Sequence, residues 1–401
     1  MSSLWGQVRM VAVPEIVCQD GRVELENTLA EIVERIREQD IRRCQIAAIV
    51  KKLKDNIDLA NLDEQEPKAI VENKLTFDVE PDALSNVAVA GVDGGVLSEA
   101  LYGLDLILTR AVAAIFRYHD GRLSIADYYP SELPEPRLIP VVEPLDAKEF
   151  ELVASMQRQL TELRLAAEVA SSGGADILLL DGSVVPQYVD RFPHGKRVTK
   201  TYRELIEAFS NLYEVCEKSN VLLAGIVKDS RGTRFLDILR HKIVQKLVDD
   251  QNLHGNDCSI LLRSDDILAS SRDTAFLEYM LEVGERSCVF KYADAPGALL
   301  DLNKWSKKIH AFYIKTVPYD YPLRVEFVDQ RGEPTKTVER VASVVYALSQ
   351  NHDAYGLPSV LIEADACARL AESDLDIVHD SIVDRLGPSV FMDLRRNRRP
   401  F

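Results

Sequence analysis

Two segments of this chain are built alike. GVDGG places Asp93 behind the apolar run VAVA, and LLLDGS places Asp181 behind ILLL. A carboxylate at the end of a strand, followed by glycine, is held by the sheet, while the small next residue leaves room for a ligand. Hard cations such as Mg²⁺ or Mn²⁺ take such oxygen ligands, two or more converging on one point. If the two strands are neighbours, Asp93 and Asp181 meet at one edge of a sheet. Asp-Gly is also a common turn dipeptide, so the reading rests on its recurrence behind two fully apolar runs.

The segment between them supplies a third carboxylate. In QLTELRLAAEVASSGG, Glu162 and Glu168 are the acidic residues of a helical stretch rich in Leu and Ala. They are six positions apart, about 600° of helix rotation, so only one of them can face the aspartates. Lys228, directly after the apolar run VLLAGIV, is placed either to contact a phosphate or to sit in a solvated turn. Basic residues gather after the second aspartate: RFPHGKRVTKTYR holds Arg191, Lys196, Arg197, Lys200 and Arg203, interleaved with Phe192 and Tyr202. Basic side chains track phosphates and aromatic rings stack on unpaired bases, so this cluster is the leading candidate for a DNA contact. SRGTR (Arg231, Arg234) and the tail RRNRRPF (Arg395, Arg396, Arg398, Arg399) add smaller groups.

The elements that must position these residues read as follows. Residues 24–54 carry apolar side chains at helical spacing, which predicts one or two amphipathic helices that either pack normally or form an arm for a partner. From Asn86 the chain predicts a buried strand ending at Asp-Gly-Gly. Two further strands follow, over LYGLDLILTRAVAAIFRY and GRLSIADYY, joined by a hairpin turn at Asp120-Gly121. Pro130 to Pro144 reads as a proline-rich surface connector, and Asp146 caps a long helix running to about Ser171, where Gly173-Gly174 ends it. ADILLLDGS and VLLAGIVKDS are the next strands, with helices near 233–250 and 264–283. CVFKYAD, HAFYIKTV and LRVEFV are later strand candidates, and helices near 337–350 and 373–386 close the chain. Strands alternating with helices argue for an α/β fold with a mixed or parallel sheet.

Composition bounds the function. Of 401 residues, 48 are Lys or Arg and 64 Asp or Glu, a formal net charge of −16. That excludes a uniformly basic coat for nucleic acid, whose affinity rests on cationic side chains replacing counterions, but allows a local basic stripe. A hydrophobic fraction of 46% with 28% charged residues suits a globular chain with a sizeable core. The N-terminus shows no signal-peptide pattern, and the most apolar stretch, Ala100 to Phe116, is interrupted by Asp105 and Arg110. No membrane association and a cytoplasmic location are therefore expected. Six cysteines (Cys18, Cys44, Cys216, Cys258, Cys288, Cys367) without a CxxC pair read as reduced thiols, not disulfides or a zinc site.

Together GVDGG, the following GLDLILTRA, a helical glutamate, LLLDGS, LAGIVKDSRGTRF and a late PSVLIEADACARL resemble the NurA nucleases over roughly residues 86–370. That family comprises 5′–3′ exonucleases and endonucleases that partner the HerA helicase in DNA-end resection. The resemblance implies a ribonuclease-H-like core with a mixed sheet flanked by helices, plus an N-terminal helical segment. It divides the chain into residues 1–80 for that segment and 81–401 for the nuclease domain. It also implies a homodimer around a DNA channel, Mn²⁺-dependent cleavage with Mg²⁺ as the alternative ion, and a HerA-type hexameric translocase as partner. Asp93 matches the first family aspartate and Asp181 the second, with the glutamate at Glu162, or else Glu168. Many relatives end in Tyr-Pro-x-x-Leu-x-x-Ala-His, whereas this chain has Leu357 at the tyrosine position and Asp365 at the histidine position. Asp365 can bind a metal through oxygen but cannot act as a neutral imidazole. Tyr355, two positions away, is a candidate to replace the tyrosine in space. The implied catalytic set is Asp93, Glu162, Asp181 and Asp365, with the first three as metal ligands. Its chemistry is the activation of water and neutralisation of charge on a scissile phosphate.

Two other classes compete. A sugar-kinase or actin-like ATPase also uses strand–Asp–Gly motifs, but this chain continues VLSEALYG and has no late Gly-rich adenosine loop. A non-catalytic DNA or helicase adaptor is favoured by the altered C-terminal motif. GxxxxGK[ST], HExxH and GxSxG are all absent, so any ATP-driven step must come from a partner.

Overall fold

A computed structural model describes residues 15–54, 57–59, 69–101, 103–186, 195–250, 255–293 and 296–387. It begins with one long helix, α1 (Glu15–Leu53), followed by the strands β1 (Thr76–Asp78), β2 (Val87–Ala100), β3 (Asp105–His119), β4 (Arg122–Tyr129) and β5 (Arg137–Val141). Next come α2 (Ala147–Ser171), β6 (Ile177–Asp181), α3 (Lys196–Ser219) and β7 (Leu222–Val227). A helical cluster follows: α4 (Arg234–Ile238), a π-helical turn (Leu239–Ile243), α5 (Val244–Asp250), α6 (Asn256–Leu262), α7 (Asp265–Ser270) and α8 (Asp273–Met280). After it come β8 (Glu285–Ser287), β9 (Phe290–Lys291), a 3₁₀ segment (Pro296–Lys307), β10 (Ile309–Ile314) and β11 (Leu323–Val328). The described chain ends with α9 (Pro334–Leu348), α10 (Ser359–Ala368) and α11 (Glu372–Leu386).

The eleven strands among the described residues join one sheet in the order β1-β8-β10-β11-β7-β6-β2-β3-β4, with β5 beside β3 and β9 beside β10. β2, β3 and β4 form an antiparallel meander, and β6 and β7 continue from β2 in parallel. Three antiparallel strands followed by two parallel to the first, flanked by helices on both faces, is the ribonuclease-H-like arrangement expected. The mixed sheet follows from the connections: a two-residue turn joins β3 to β4, whereas α2 and α3 carry the crossovers into the parallel strands. Asp120 (φ 48°) and Gly121 (φ 75°) both take the left-handed conformation that a tight hairpin needs. The Asp146 carboxylate accepts from Glu149 N at 2.9 Å and starts α2 where the sequence places it.

β6 is buried on both faces, as its unbroken ILLL requires. One face packs with α2 and α3 around Met156, Leu160, Phe209 and Tyr213, the other with α9 and α10 around Phe312, Val341 and Leu361. A third cluster joins the C-terminal half of α1, through Ile46, Val50 and Leu53, to the α4–α8 helices. Upstream, Leu25, Leu29, Ile32 and Ile36 of α1 are exposed. Among the described residues no helix is long and apolar enough to cross a membrane.

Three local expectations need correction. Asp93 does not end a strand: β2 runs on to Ala100, because β3 pairs with it over its whole length, through Asp93↔Val112 to Ala100↔Asp105. The Pro130–Pro144 connector contains β5, whose Pro140 is tolerated because β5 is an edge strand. The basic cluster read over residues 191–203 is, from Lys196 on, the first turns of the amphipathic α3, which buries Val198, Leu205, Phe209, Leu212 and Cys216. Arg191, Phe192 and the basic tail lie outside the described residues.

Candidate active site

The register of the parallel strands brings the two aspartates together. Val92 pairs with Leu180 across β2 and β6, so the next residues, Asp93 and Asp181, leave the pair at one level. β6 stops there while β2 continues, which gives Asp93 its strand-end character on the β6 side alone. Alternation sets the face: Val89, Ile177 and Leu179 belong to the α9–α10 core, so Asp93 and Asp181, at even spacing from them, share that face. β7 pairs Ile226 with Asp181, and Lys228 follows two residues later on the same side.

Glycines let the helices close in. An added Cβ at Gly91 would lie 2.7 Å from the Val360 carbonyl, and one at Gly95 2.5 Å from that of Ala368, so α10 rests directly on the β2 backbone. That contact carries Asp365, in the last turn of α10, to the rim of an open cavity of about 210 Å³ shared with Asp93, Gly94 and Arg369. From the opposite face α2 delivers Glu162. A Cβ on Gly94 would fall 2.6 Å from its Oε1, so the bare glycine is what admits this carboxylate. A second cavity, about 110 Å³, is lined by Arg158, Glu162, Asp181, Ser183 and Phe209.

The electrostatics are those of crowded, buried carboxylates. Burial, then the charge of Asp181 and more weakly that of Asp365, push Asp93 up to about 7, against the Gly94 N–H donating at 2.7 Å and the ammonium of Lys228. Burial pushes Glu162 up to about 8; Arg158, in direct contact, opposes this, and the charges of Asp93 and Asp181 add to it. Burial alone would lower the pKa of Lys228, but its contact with Asp181 Oδ2 at 2.5 Å outweighs that and raises it. Asp365 sits where the helix dipole disfavours a carboxylate, and Arg369 answers it at 3.2 Å.

The loop after Asp181 is fastened from behind by charges the sequence reading did not single out. Glu326 accepts from Ser183 Oγ at 2.5 Å, Val184 N at 3.2 Å and Arg324 Nε at 2.7 Å. Arg324 donates on to the Tyr313 hydroxyl (3.2 Å), which donates to Asp273 (2.9 Å); Asp273 in turn accepts the first amides of α4. Arg324 and Glu326 alternate within LRVEFV, so two opposite charges on one face of a buried strand were the available signal. Arg158, four residues before Glu162 on α2, was legible as a helical ion pair.

The other candidates are placed as follows. Glu168 is exposed and accepts from the Tyr129 hydroxyl at 2.9 Å, away from the aspartates. Lys196, Lys200 and Arg203 form an exposed stripe on α3, whereas Arg197 turns inward to Glu143 at 3.5 Å. Leu357 is buried in the α10 core, and Tyr355 stands half-exposed, close enough to Lys228 to influence its charge.

The donor set suits a hard divalent cation: all oxygen, with burial first and the charges of neighbouring carboxylates next raising Asp93 and Glu162, a penalty that a bound cation would relieve. In the present side-chain positions, no three His, Cys, Asp or Glu among the described residues converge closely enough to hold a metal. Asp181 is taken by Lys228 and Glu162 by Arg158, so a cation would have to replace those partners.

The family model of the NurA domain matches residues 87–370. No curated protein matches the chain. Among solved structures it is similar to the NurA nuclease from Sulfolobus solfataricus, at 14% identity and a TM-score of 0.49, covering 93% of this chain and 98% of that one. A NurA structure bound to dAMP and manganese shares 13% identity at a TM-score of 0.43, over 92% and 98% of the two chains. The endonuclease V of Bacillus subtilis shares 12% at 0.31, over 84% and 91%.

Proposed function

Because the chain belongs to the NurA family, we propose that it is a metal-dependent DNA nuclease whose site is built on Asp93, Asp181 and Glu162. The observation that carries the reading is the β2–β6 register, which sets Asp93 and Asp181 side by side where the parallel pairing of the two strands ends. These three carboxylates would hold Mn²⁺, or Mg²⁺, with Asp365 as a fourth acidic group at the rim. Such an ion supplies Lewis acidity and charge neutralisation for phosphodiester hydrolysis.

The chain's own groups do the rest. Arg158 orients Glu162, and Gly94 keeps its path open. Lys228, once released from Asp181, is within reach to bind a phosphate oxygen as a compact point charge. The Lys196–Lys200–Arg203 stripe, whose Arg203 is six residues or about 9 Å along α3 from Phe209 at the site, guides the strand backbone inward. Asp365 accepts hydrogen bonds there but does not supply the proton chemistry of an imidazole.

On family membership the proposal extends to 5′–3′ exonuclease and single-strand endonuclease action in double-strand-break end resection. It includes a homodimer working with a HerA-type hexameric helicase, which supplies the ATP-driven motion. Residues 81–401 are the proposed nuclease unit, with 1–80 as its helical segment. Leu357 and Asp365, in place of the family tyrosine and histidine, favour a second reading: a DNA-binding adaptor with a weakened site. Incubating the purified protein with single- and double-stranded DNA ends in Mn²⁺, Mg²⁺ or EDTA separates the two. Degradation with Mn²⁺ that EDTA stops supports the nuclease; binding without cleavage in any metal supports the adaptor.

A further inference from the structure

Between β10 and β11 the chain reads KTVPYDYP, residues 315–322. Its two tyrosines stand in solvent, Tyr319 at 78% exposure and Tyr321 at 64%. The loop beneath them is not loose. Pro318 and Pro322 restrict its backbone, and the Asp320 carboxylate turns inward, accepting from Tyr321 N and from Gly356 N, each at 2.8 Å. Thr316 Oγ1 donates to the Gly356 carbonyl at 2.9 Å, and Tyr319 N to the Asp353 carbonyl at 3.0 Å. The loop is thereby locked to residues 353–356, which carry a third exposed tyrosine, Tyr355 at 48%. β11 pairs with β7 through Arg324↔Val227, which brings the 315–322 loop to the level of Lys228, the cation on Asp181, and the Tyr355 phenol acts electrostatically on that ammonium.

A single exposed aromatic needs no explanation. Three on two interlocked loops beside the carboxylate site are different, because the backbone is held while the rings are left without a packing partner worth their area. We infer that Tyr319, Tyr321 and Tyr355 form a stacking platform for unpaired bases of a DNA strand whose phosphates enter at Lys228. The inference rests on the nuclease reading and names its substrate form: a single strand or frayed end. Stacking on phenol rings accepts any base, since every base has a π-face. A duplex, whose bases are already stacked inside, gains nothing from it. The loops being fixed beforehand, little ordering remains to be done on binding.

The test is binding in EDTA, where no cleavage is needed, so it reads independently of whether the chain is a nuclease. Fluorescence anisotropy compares a labelled single-stranded oligothymidylate with an abasic phosphodiester of equal length. For the Tyr319→Ala/Tyr321→Ala variant we expect affinity for the oligothymidylate to fall about tenfold or more, with affinity for the abasic strand unchanged. Tyr319→Phe/Tyr321→Phe, which keeps the rings, should restore the wild-type value. An equal loss on both strands, no loss on either, or failure of the phenylalanine variant to restore binding would overturn the platform.

Discussion

Lys228 Nζ lies 2.5 Å from Asp181 Oδ2, so the second aspartate of the site is held by the protein's own cation. The pair joins β7 to β6 at the level of Asp93, where the parallel pairing of β2 with β6 ends. A divalent ion and this ammonium compete for one carboxylate. Replacing Lys228 by methionine should therefore leave Mn²⁺ affinity equal or higher, while removing a phosphate contact and slowing single-turnover cleavage by about 10²-fold. Isothermal titration with Mn²⁺ beside quench-flow kinetics measures both; weaker Mn²⁺ binding would show that Lys228 supports the metal instead of competing with it.

The pH dependence of stability has a definite sign. Asp93 and Glu162 hold protons to about 7 and about 8 when folded, well above the unfolded range near 4. Between those limits the folded state binds more protons, so metal-free stability falls as pH rises from about 4 to about 8. Asp93→Asn removes one such group. In EDTA its melting temperature should exceed that of the wild type by a few degrees at pH 8 and show a much smaller gain at pH 5. A difference independent of pH would contradict the assignment.

Glu326 is 2% exposed and serves Arg324, Ser183 and Val184 together. Glu326→Ala strands a buried guanidinium and should cost about 3–5 kcal/mol, against about 1–2 kcal/mol for Ser183→Ala, which removes the hydroxyl that donates to Glu326 and accepts from Val185 N. Urea titration of both variants measures the ratio; equal, small effects would show that the network does not fasten the loop.

On α3 Lys196, Lys200 and Arg203 face solvent, Lys200 with Glu204 at 3.9 Å, whereas Arg197 is turned in toward Glu143. Charge reversal at Lys196, Lys200 and Arg203 should weaken single-strand binding. It should also lower the slope of log K against log salt by about 0.7 for each phosphate that is no longer neutralised. Arg197→Glu alone should leave the slope nearly unchanged. The salt titration decides, and an unaltered slope in the triple variant would remove α3 from the DNA path.

Much of this site is legible in the sequence, for physical reasons. Buried parallel strands must be unbroken apolar runs, so ILLL before Asp181 and the VAVA run before Asp93 announce themselves, and Asp146 marks the start of α2 by a capping rule that needs no tertiary context. The face of Glu162 is half-legible: helix rotation separates it from Glu168, but only Gly94 under α2 shows which of the two meets the aspartates. Asp93 looks like a strand end because Asp-Gly-Gly favours turns, and pairing to β3 overrides that local preference. The clamp on the Asp181 loop is the least legible part, since Ser183 and Glu326 are 143 positions apart and meet only in the folded sheet.

The most direct test of the account is the cleavage of a single-stranded DNA end by Asp93→Asn and Asp181→Asn proteins in Mn²⁺, beside wild type and an EDTA control. We expect wild-type cleavage to need the metal and each variant to lose at least about 10³-fold in rate while keeping DNA affinity and a cooperative melt. Undiminished cleavage by both folded variants would contradict the carboxylate site.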